Sequence, residues 1–540
     1  MKKILQNKIK AVPIQIWILS AIVILGIFLR TYRFHDWLEM KSDQTRDAML
    51  VHEVMIGNSS WPLLGPTVDG TGRGIAVENL FHLGPIYYWF EIISAKIFGD
   101  YPDKLAYPDL LFSILSIPLF YLFFKKYFSE NLSLALTGLY SISFFSIQYS
   151  RFAWNPNSIP FFILLFFLAL YEFIIHKEKI KWSWAVLLGI ALGVGIQLHI
   201  ITFLIFPIIT ACVLVFSTKN NWNVWKKWAL VLLVFMAVNT GQIISEIKTN
   251  FSNSKILLNY FSRSNLGDNQ KSGFLFNFGK NIDCHIEANA HMLTSLGQEE
   301  CSFYFINLLT NEKSGSFSKN MKDPIFRLAL LSSFVFSFFG YWVLAYNCKK
   351  EKDKSKKYFL LLLALYMGMV FLFIMLSLKE NLNFRYFNNG FFVPFMLVGF
   401  FVDYFFKKFT RFIWLLAMFL LFFSIGIFNV ISISSATKEL TETYKTGYNA
   451  DFLVQIEPVA EYLIAHSNGK KDMYINGDFS IVHISFPLEY FLKRQNINLL
   501  RISKEEAIFS GASPFFYMSN KAPKDIDYEK IGKIYIFKLN

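Results

Sequence analysis

The feature that most constrains this chain is a series of long apolar segments between residues 13 and 433. We find eleven of them, at residues 13–29, 106–124, 131–148, 158–175, 184–199, 201–217, 228–246, 326–347, 358–378, 389–407 and 411–433. A helix of about 17–25 residues crosses the hydrocarbon core of a bilayer. Hydrophobic residues make up 54% of the chain, which is too high for an ordinary soluble domain. The sequence therefore predicts an all-α polytopic membrane protein with about 11 transmembrane helices.

A further apolar segment, residues 82–98, decides the topology because it carries Glu91 and Lys96. A charge at the bilayer centre costs about 2.5–3.5 kcal/mol, which an interfacial juxtamembrane helix avoids. If this segment does not cross, the basic clusters fall on the side of the N-terminus. They are Lys125/Lys126, Lys177/Lys179/Lys181, Lys219/Lys226/Lys227, Lys349 to Lys357 and Lys407/Lys408/Arg411. By the positive-inside rule, we expect the N-terminus in the cytoplasm and the C-terminus outside.

This topology divides the chain into a transmembrane domain, residues 1–435, and a tail, residues 440–540. The tail alternates helical patterns near 456–466 and 485–495 with strand patterns near 472–476, 497–501, 514–518 and 533–538. We expect it to be a small extracytoplasmic α/β domain. The first outer loop is predicted at residues 30–105 and a large outer loop at 247–325.

The large outer loop has weak periodicity, so we expect only partial order there, with a lid over a site as one role. Cys284 and Cys301 lie in this loop and can pair if it is outside the cell. The net charge of +14 does not indicate nucleic acid, because the lysines cluster between apolar segments. Arg30-Thr31-Tyr32-Arg33 offers no cleavage site after the first apolar run, so we expect an uncleaved first span in a bacterial cytoplasmic membrane.

The first outer loop contains the densest group of ionisable residues, with Asp43, Arg46 and Asp47 inside Ser-Asp-Gln-Thr-Arg-Asp. On a helix starting near Asp43, the two carboxylates share one face beside Arg46. Asp43 as a simple helix cap over 44–57 is the structural alternative. Ionisable groups near membranes are often functional, so we predict Asp43 and Asp47 as catalytic acids or bases.

Arginines recur at other outer boundaries. Arg385-Tyr386 stands between two apolar segments, and Arg151 stands between the segments 131–148 and 158–175. A guanidinium there can hold a phosphate, or it can snorkel to the interface without a functional role. His82 before Leu-Gly-Pro can contact a phosphate or simply end a loop. We find no metal-ligand spacing, and a single divalent cation held by a first-loop carboxylate stays open.

These motifs together resemble the GT-C superfamily of membrane glycosyltransferases, in the branch of the protein O-mannosyltransferases and the lipid A aminoarabinose transferase. The resemblance rests on four motifs in order over about residues 13–410: Asp43-Gln44, His82-Leu-Gly-Pro-Ile-Tyr-Tyr-Trp89, Ser150-Arg151 followed by Asn155, and Arg385-Tyr386 before Pro394. Two positions depart from the family pattern. Gln44 replaces an acidic residue and Asn155 replaces an aspartate, so either Asp47 takes over part of the lost acidity or the acceptor differs.

The resemblance implies transfer of a sugar, with inversion, from a polyprenyl-phosphate donor to an envelope acceptor that is a lipid, protein or polysaccharide. It implies that Asp43 acts as the base and that the donor phosphate meets the side chains of Arg385, Arg151 and His82. We add five expected substrate contacts, namely Arg46, Tyr87, Tyr88, Asn155 and Tyr386. No cofactor is expected from the motifs.

Two alternatives stay open at this stage. A transporter or flippase for lipid-linked sugars needs polar groups at mid-span, and only Gln197, His199, Asn239 and Gln242 qualify. A non-catalytic assembly subunit of the same superfamily is the second alternative, because Gln44 and Asn155 replace acidic residues.

Overall fold

The computed structural model describes residues 13–68, 80–176, 179–217, 222–263, 274–297, 300–310, 322–377, 383–405, 410–446, 452–478, 484–503, 506, 513–524, 526–532 and 534–539. Most of them are helical. In chain order up to residue 446, the helices are α1 (Ile14–Thr31), α2 (Ser42–Met55), α3 (Ile86–Phe98), α4 (Pro102–Leu105), α5 (Tyr107–Phe124), α6 (Glu130–Ile142), α7 (Phe144–Gln148), α8 (Ile159–His176), α9 (Trp182–Leu198), α10 (Ile200–Ser217), α11 (Trp222–Val238), α12 (Thr240–Lys248), α13 (Ser252–Arg263), α14 (Phe274–Thr294), α15 (Tyr304–Thr310), α16 (Pro324–Lys350), α17 (Lys354–Ser377), α18 (Val393–Phe405) and α19 (Arg411–Thr446). Two 3-10 turns, Asn155–Ser158 and Phe384–Gly390, precede α8 and α18.

The helices confirm a multi-pass membrane architecture. Within the described residues, six helices are long and apolar enough to cross a membrane, and a seventh results if α11 and α12, bent by 66°, count as one span. The shorter apolar helices are α9, α10 (in its part up to Val215) and α18. Each of the eleven predicted segments contains helix, while the number of crossings stays a prediction.

A tail domain of mixed α/β structure follows α19. It contains α20 (Leu453–Ala465), α21 (Ser485–Lys493) and the strands β3 (Asp472–Gly477), β4 (Asn498–Arg501), β5 (Phe515–Ser519), β6 (Glu529–Ile531) and β7 (Ile534–Lys538). The strand order is β4-β3-β5-β7-β6, with β3 parallel to β4 and β5 and with β7 antiparallel to β5 and β6. The predicted helices and strands are present, and the structure adds the short strand β6.

The tail domain packs against the first outer loop. One buried apolar cluster combines Leu38, Val51 and Ala95 of that loop with Leu453 and Leu488 of the tail. Polar contacts cross the same junction, and Asp100 accepts hydrogen bonds from His52 and Arg494 on its carboxylate. The first outer loop and the tail are therefore neighbours in the fold, while the side of the membrane that they face stays a prediction.

A small antiparallel pair, β1 (Thr67–Val68) with β2 (Phe81–His82), leads into α3. The helix α3 starts at Ile86 and is 13 residues long, so it is too short to cross a bilayer as a single helix. This length agrees with the predicted juxtamembrane helix. Its Glu91, however, is fully buried inside the protein, and not at a solvated interface as the charge argument assumed.

The expectation of partial order in the large outer loop is wrong for α14 and the segment after it. The helix α14 has 21 residues, and its side chains from Asp283 to Thr294 are buried. Its polar groups find partners, which the apolar pattern could not reveal: Asp283 accepts from the Ile306 N–H, and Glu287 accepts from the N–H groups of Ser302 and Tyr304. Residues 264–273, 298–299 and 311–321 of this loop lie outside the described part.

Candidate active site

The helix α2 begins before Asp43, so Asp43 is not the helix cap. The helix starts at Ser42, and the backbone N–H of Lys41 donates to the Gln44 side chain at 3.0 Å. Gln44, which replaces the acidic residue of the family pattern, thus closes the helix start. The Asp43 carboxylate is half-exposed and contacts the Arg46 guanidinium at 3.3 Å. The structural alternative, in which Asp43 caps a helix over 44–57, is therefore not what the structure shows, because Lys41 is the N-cap residue.

Asp47 follows one turn later, and Arg46 links the two carboxylates. The Arg46 Nε donates to Asp47 Oδ1 at 2.8 Å. Asp47 is fully buried, and its Oδ2 accepts no hydrogen bond of good geometry from the described residues. Burial raises the pKa of the Asp47 carboxyl, and the neighbouring Arg46 charge opposes that rise. The predicted group of Asp43, Arg46 and Asp47 is thus assembled on one helix turn.

The adjacent tyrosines of α3 face two different carboxyl groups. The Tyr87 hydroxyl donates to Asp109 Oδ2 at 2.7 Å. Tyr88 faces Asp47, and burial together with that carboxylate raises the pKa of the Tyr88 hydroxyl. Tyr88 therefore stays a neutral hydrogen-bond donor at physiological pH. The two predicted contact residues, Tyr87 and Tyr88, connect the first outer loop to the start of α5.

Glu91 lies one turn further along α3 and was missed as a site residue. Both of its carboxyl oxygens are buried without a hydrogen-bond partner among the described residues. Burial, with the carboxylates of Asp47 and Asp109 next in effect, raises the pKa of Glu91 well above its ordinary value. A buried carboxyl without a partner is neutral rather than charged. Glu91 therefore holds a proton in this acidic neighbourhood.

Asp109 is the second residue that the sequence did not single out. It is fully buried and accepts three hydrogen bonds, from Tyr87, from the Ser158 hydroxyl at 2.5 Å and from the Trp154 N–H at 3.1 Å. These donors come from α3 and from the segment that joins α7 to α8. The sequence signal that could have identified Asp109 is the presence of an aspartate at the edge of an apolar segment.

Arg385 lies in the 3-10 turn Phe384–Gly390, next to the segment that Asp109 holds. Its guanidinium carbon is 5.4 Å from the ring centroid of Trp154 and 5.4 Å from that of Tyr386. The side chain is exposed, and no carboxylate of the described residues pairs with it. The segment 378–382, which includes Lys379 and Glu380, lies outside the described residues. Arg385 thus presents a positive charge flanked by two aromatic rings.

Arg151, in contrast, is a structural residue in this arrangement. It is 3% exposed, and its guanidinium donates to the carbonyl oxygens of Leu29, Arg30 and Tyr32. Because helices end with unsatisfied carbonyls, Arg151 closes the end of α1. Burial lowers the pKa of Arg151 to about 9. The structure therefore leaves Arg151 no free face for a phosphate.

His82 and Asn155 also make contacts that stabilise the local fold. The His82 Nδ1 lies 3.0 Å from the Gly65 carbonyl, and the His82 main chain pairs with the Asn253 side chain. Asn155 is buried, and its amide donates to the carbonyl of Leu198. Within the described residues, no group of three or more His, Cys, Asp and Glu side chains is placed to hold a metal ion.

The chain is similar to several known proteins. A family model described as dolichyl-phosphate-mannose-protein mannosyltransferase matches residues 82–242. The undecaprenyl phosphate-alpha-4-amino-4-deoxy-L-arabinose arabinosyl transferase of Wigglesworthia glossinidia brevipalpis is 27% identical over 223 residues, 40% of this chain and 36% of that protein. The chain is therefore similar in sequence to known glycosyltransferases of two kinds. It spans little more than a third of the length of that curated relative.

The fold of this chain is similar to that of a solved archaeal oligosaccharyltransferase. The oligosaccharyltransferase AglB of Archaeoglobus fulgidus, in complex with an inhibitory peptide and a dolichol-phosphate, has a TM-score of 0.50 and 13% identity. That match covers 90% of this chain and 64% of the archaeal chain. ArnT of Cupriavidus metallidurans in the apo state has a TM-score of 0.41 and 11% identity, covering 97% of both chains.

Proposed function

We propose that this protein is an inverting glycosyltransferase that uses a polyprenyl-phosphate-linked sugar as donor. The names of the matched relatives support a lipid-linked donor, since they specify dolichyl-phosphate mannose and an undecaprenyl phosphate aminosugar. The acceptor is a component of the cell envelope on the outer face of the cytoplasmic membrane.

One observation carries the proposal. A continuous series of contacts runs from the acids of α2 to the exposed arginine, through Tyr88, Tyr87, Asp109 and the segment of Trp154. The acidic group is therefore at one end of a rigid, buried framework and Arg385 is at the other. A sugar transfer from a phosphate requires this pairing of a base with a phosphate-binding cation.

The reaction assigns a role to each end. In a single displacement, the acceptor oxygen attacks the anomeric carbon, the bond from that carbon to the phosphate oxygen breaks, and the anomeric configuration inverts. Asp43 takes the proton of the acceptor hydroxyl, while Asp47 and Arg46 fix its position. Arg385 binds the departing phosphate and stabilises its negative charge. Tyr386 stands beside it as a substrate contact.

The contacts of the remaining candidate residues reduce the number of side chains that can bind the substrates. We leave Arg151 out of the phosphate site, because it is bound to backbone carbonyls. His82 can reach a phosphate only through Nε2, because Nδ1 faces Gly65. Tyr88 remains a substrate contact, and Tyr87 and Asn155 are better described as supports of the site.

The topology belongs to the same proposal. We propose eleven crossings with the N-terminus inside, so that the transmembrane domain of residues 1–435 and the tail of residues 440–540 place the acids and Arg385 outside. The basic loops support this orientation. The lipid chain of the donor keeps its phosphate near the outer headgroups, at the level of the juxtamembrane helix α3.

The experiment uses purified protein in liposomes with a panel of labelled polyprenyl-phosphate sugars and crude envelope extract as acceptor. Asp43→Asn is compared with the wild type and with Asp36→Asn, a matched control whose carboxylate pairs with Arg33 on the surface. We expect the wild type and the control to release free polyprenyl phosphate and Asp43→Asn to release at least about 100-fold less. Movement of the intact donor between leaflets without release would instead establish a flippase.

A further inference from the structure

The disulfide Cys284–Cys301 joins α14 to the segment that precedes α15. Three hydrogen bonds also join α14 to this segment and to the start of α15. The N–H groups of Ser302 and Tyr304 donate to Glu287, and that of Ile306 donates to Asp283. Burial raises the pKa of the Asp283 carboxyl to about 6. We call residues 274–310 the clamped hairpin, without describing its residues 298–299. Its two halves are fixed to one another by a covalent bond and by buried hydrogen bonds.

The clamped hairpin contacts the turn that carries Arg385. Glu300 forms an isolated antiparallel bridge with Asn383. The Asn383 side-chain oxygen in turn accepts the backbone N–H of Arg385 at 2.9 Å, which makes Asn383 the N-cap of the 3-10 turn. The segment of the disulfide is therefore linked to the main chain of Arg385 by the Glu300–Asn383 bridge and by the Asn383 side chain.

The other side of the hairpin supports the same turn through aromatic contacts. The His285 ring lies 4.8 Å from the Phe387 ring, and the His291 ring lies 5.3 Å from the Phe384 ring. Both phenylalanines flank Arg385 in sequence and are buried, while Arg385 itself is exposed. The hairpin thus fixes the two residues that determine where the Arg385 side chain emerges.

We infer that the disulfide-clamped hairpin positions Arg385 for the donor phosphate, with Asn383 and the Cys284–Cys301 bond as positioning residues. This inference rests on the proposed function, in which Arg385 binds the phosphate. An arginine binds a phosphate well only when its guanidinium is held in the correct orientation. Reduction of the disulfide in an intact protein should therefore weaken phosphate binding without removing the base.

The test measures binding of radiolabelled undecaprenyl phosphate to the full-length protein in nanodiscs, before and after treatment with dithiothreitol. We expect reduction to weaken binding about fivefold, similar to the loss of one helix cap. The double variant Cys284→Ala/Cys301→Ala should bind weakly and show no response to dithiothreitol. The matched control, Cys212→Ala/Cys348→Ala, removes the two free cysteines and should respond as the wild type does.

Variants of Asn383 test the contact between its side chain and the Arg385 main chain while the disulfide is intact. This test holds even if the double cysteine variant does not fold. Asn383→Ala should weaken binding about fivefold, and Asn383→Ser should restore it, because serine also caps a helical turn. Turnover measured with saturating donor should change little, whereas KM for the donor should rise. A purely structural role would lower kcat and the melting temperature together.

Arg385→Ala separates the inference from the function on which it rests. If Arg385→Ala weakens binding but neither reduction nor Asn383→Ala does, the positioning role is refuted and the phosphate site stands. If Arg385→Ala binds undecaprenyl phosphate as well as the wild type, the phosphate site itself is wrong and the inference falls with it.

Discussion

Replacement of Asp109 by asparagine is expected to destabilise the protein markedly, because one carboxylate accepts three buried hydrogen bonds. The donors are the Tyr87 hydroxyl, the Ser158 hydroxyl and the Trp154 N–H, at 2.7, 2.5 and 3.1 Å. Tyr87 and Trp154 donate to the same oxygen, Oδ2, and Ser158 donates to Oδ1. Asparagine can place its carbonyl oxygen at the Oδ2 position, but its NH₂ group then meets the Ser158 hydroxyl, which loses its bond to the carboxylate.

The magnitude follows from this count of donors. An unpaired buried donor costs about 1–3 kcal/mol, and a lost hydrogen bond to a charged group costs about 1.5–3 kcal/mol. We therefore expect Asp109→Asn to lower stability by about 1.5–3 kcal/mol, the value of the one bond that Ser158 donates to the carboxylate. Asp109→Ala should lower it further, because all three donors then lack a partner.

The assay is thermal melting in detergent, followed by tryptophan fluorescence, with Asp36→Asn as the control. The surface pair of Asp36 with Arg33 is worth less than about 1 kcal/mol, so this variant should melt close to the wild type. The stability order should be wild type, Asp109→Asn, Asp109→Ala. If Asp109→Ala melts with the control, Asp109 does not accept these three bonds, and its role as the link between α3 and Trp154 is refuted.

Three further outcomes are expected. The raised pKa of Glu91 means that the folded protein retains a proton which the unfolded chain releases near pH 4.5, so this contribution to stability is full below that pH and declines as pH rises. Glu91→Gln should flatten the fall in melting temperature as the pH rises above about 4.5. Arg151→Ala should lower the melting temperature, since three carbonyls of α1 lose their donor, while the dissociation constant for undecaprenyl phosphate stays unchanged. Asp100→Ala removes the carboxylate that His52 and Arg494 share, so amide hydrogen exchange in α21 should accelerate; unchanged exchange would show that the apolar junction alone holds the tail.

The sequence predicted those parts of the fold that depend on local patterns. Long apolar segments specify helices, and alternating apolar residues specify strands, so the helical segments and the tail strands agree with the structure. The clamped hairpin could not be found in this way. Buried polar residues such as Asp283 and Glu287 are stable only through partners elsewhere in the chain, and their spacing resembles that of an exposed helix.

The sequence singled out ionisable residues where they cluster along the chain and missed buried acids where they are isolated. Asp43, Arg46 and Asp47 are neighbours on one helix turn, so periodicity alone brings them together. Glu91 and Asp109 are single acids in apolar surroundings. The cost of a charge in the bilayer core is the reason to expect that Glu91 keeps α3 out of the membrane core. That cost does not reveal which buried groups Glu91 faces.

The contacts of α2 also explain why this membrane protein carries a tail domain. The N-terminal turn of α2 holds the acids, while its later residues Val51 and His52 pack against the tail. The C-terminal end of the helix is bound again where Glu53 pairs with Lys493 at 2.6 Å. Since α2 is otherwise supported mainly by α3 and α4, removal of the tail would leave one face of α2 exposed to solvent. The tail therefore fixes the position of this helix and, in the proposed reaction, the direction in which Asp43 faces the acceptor.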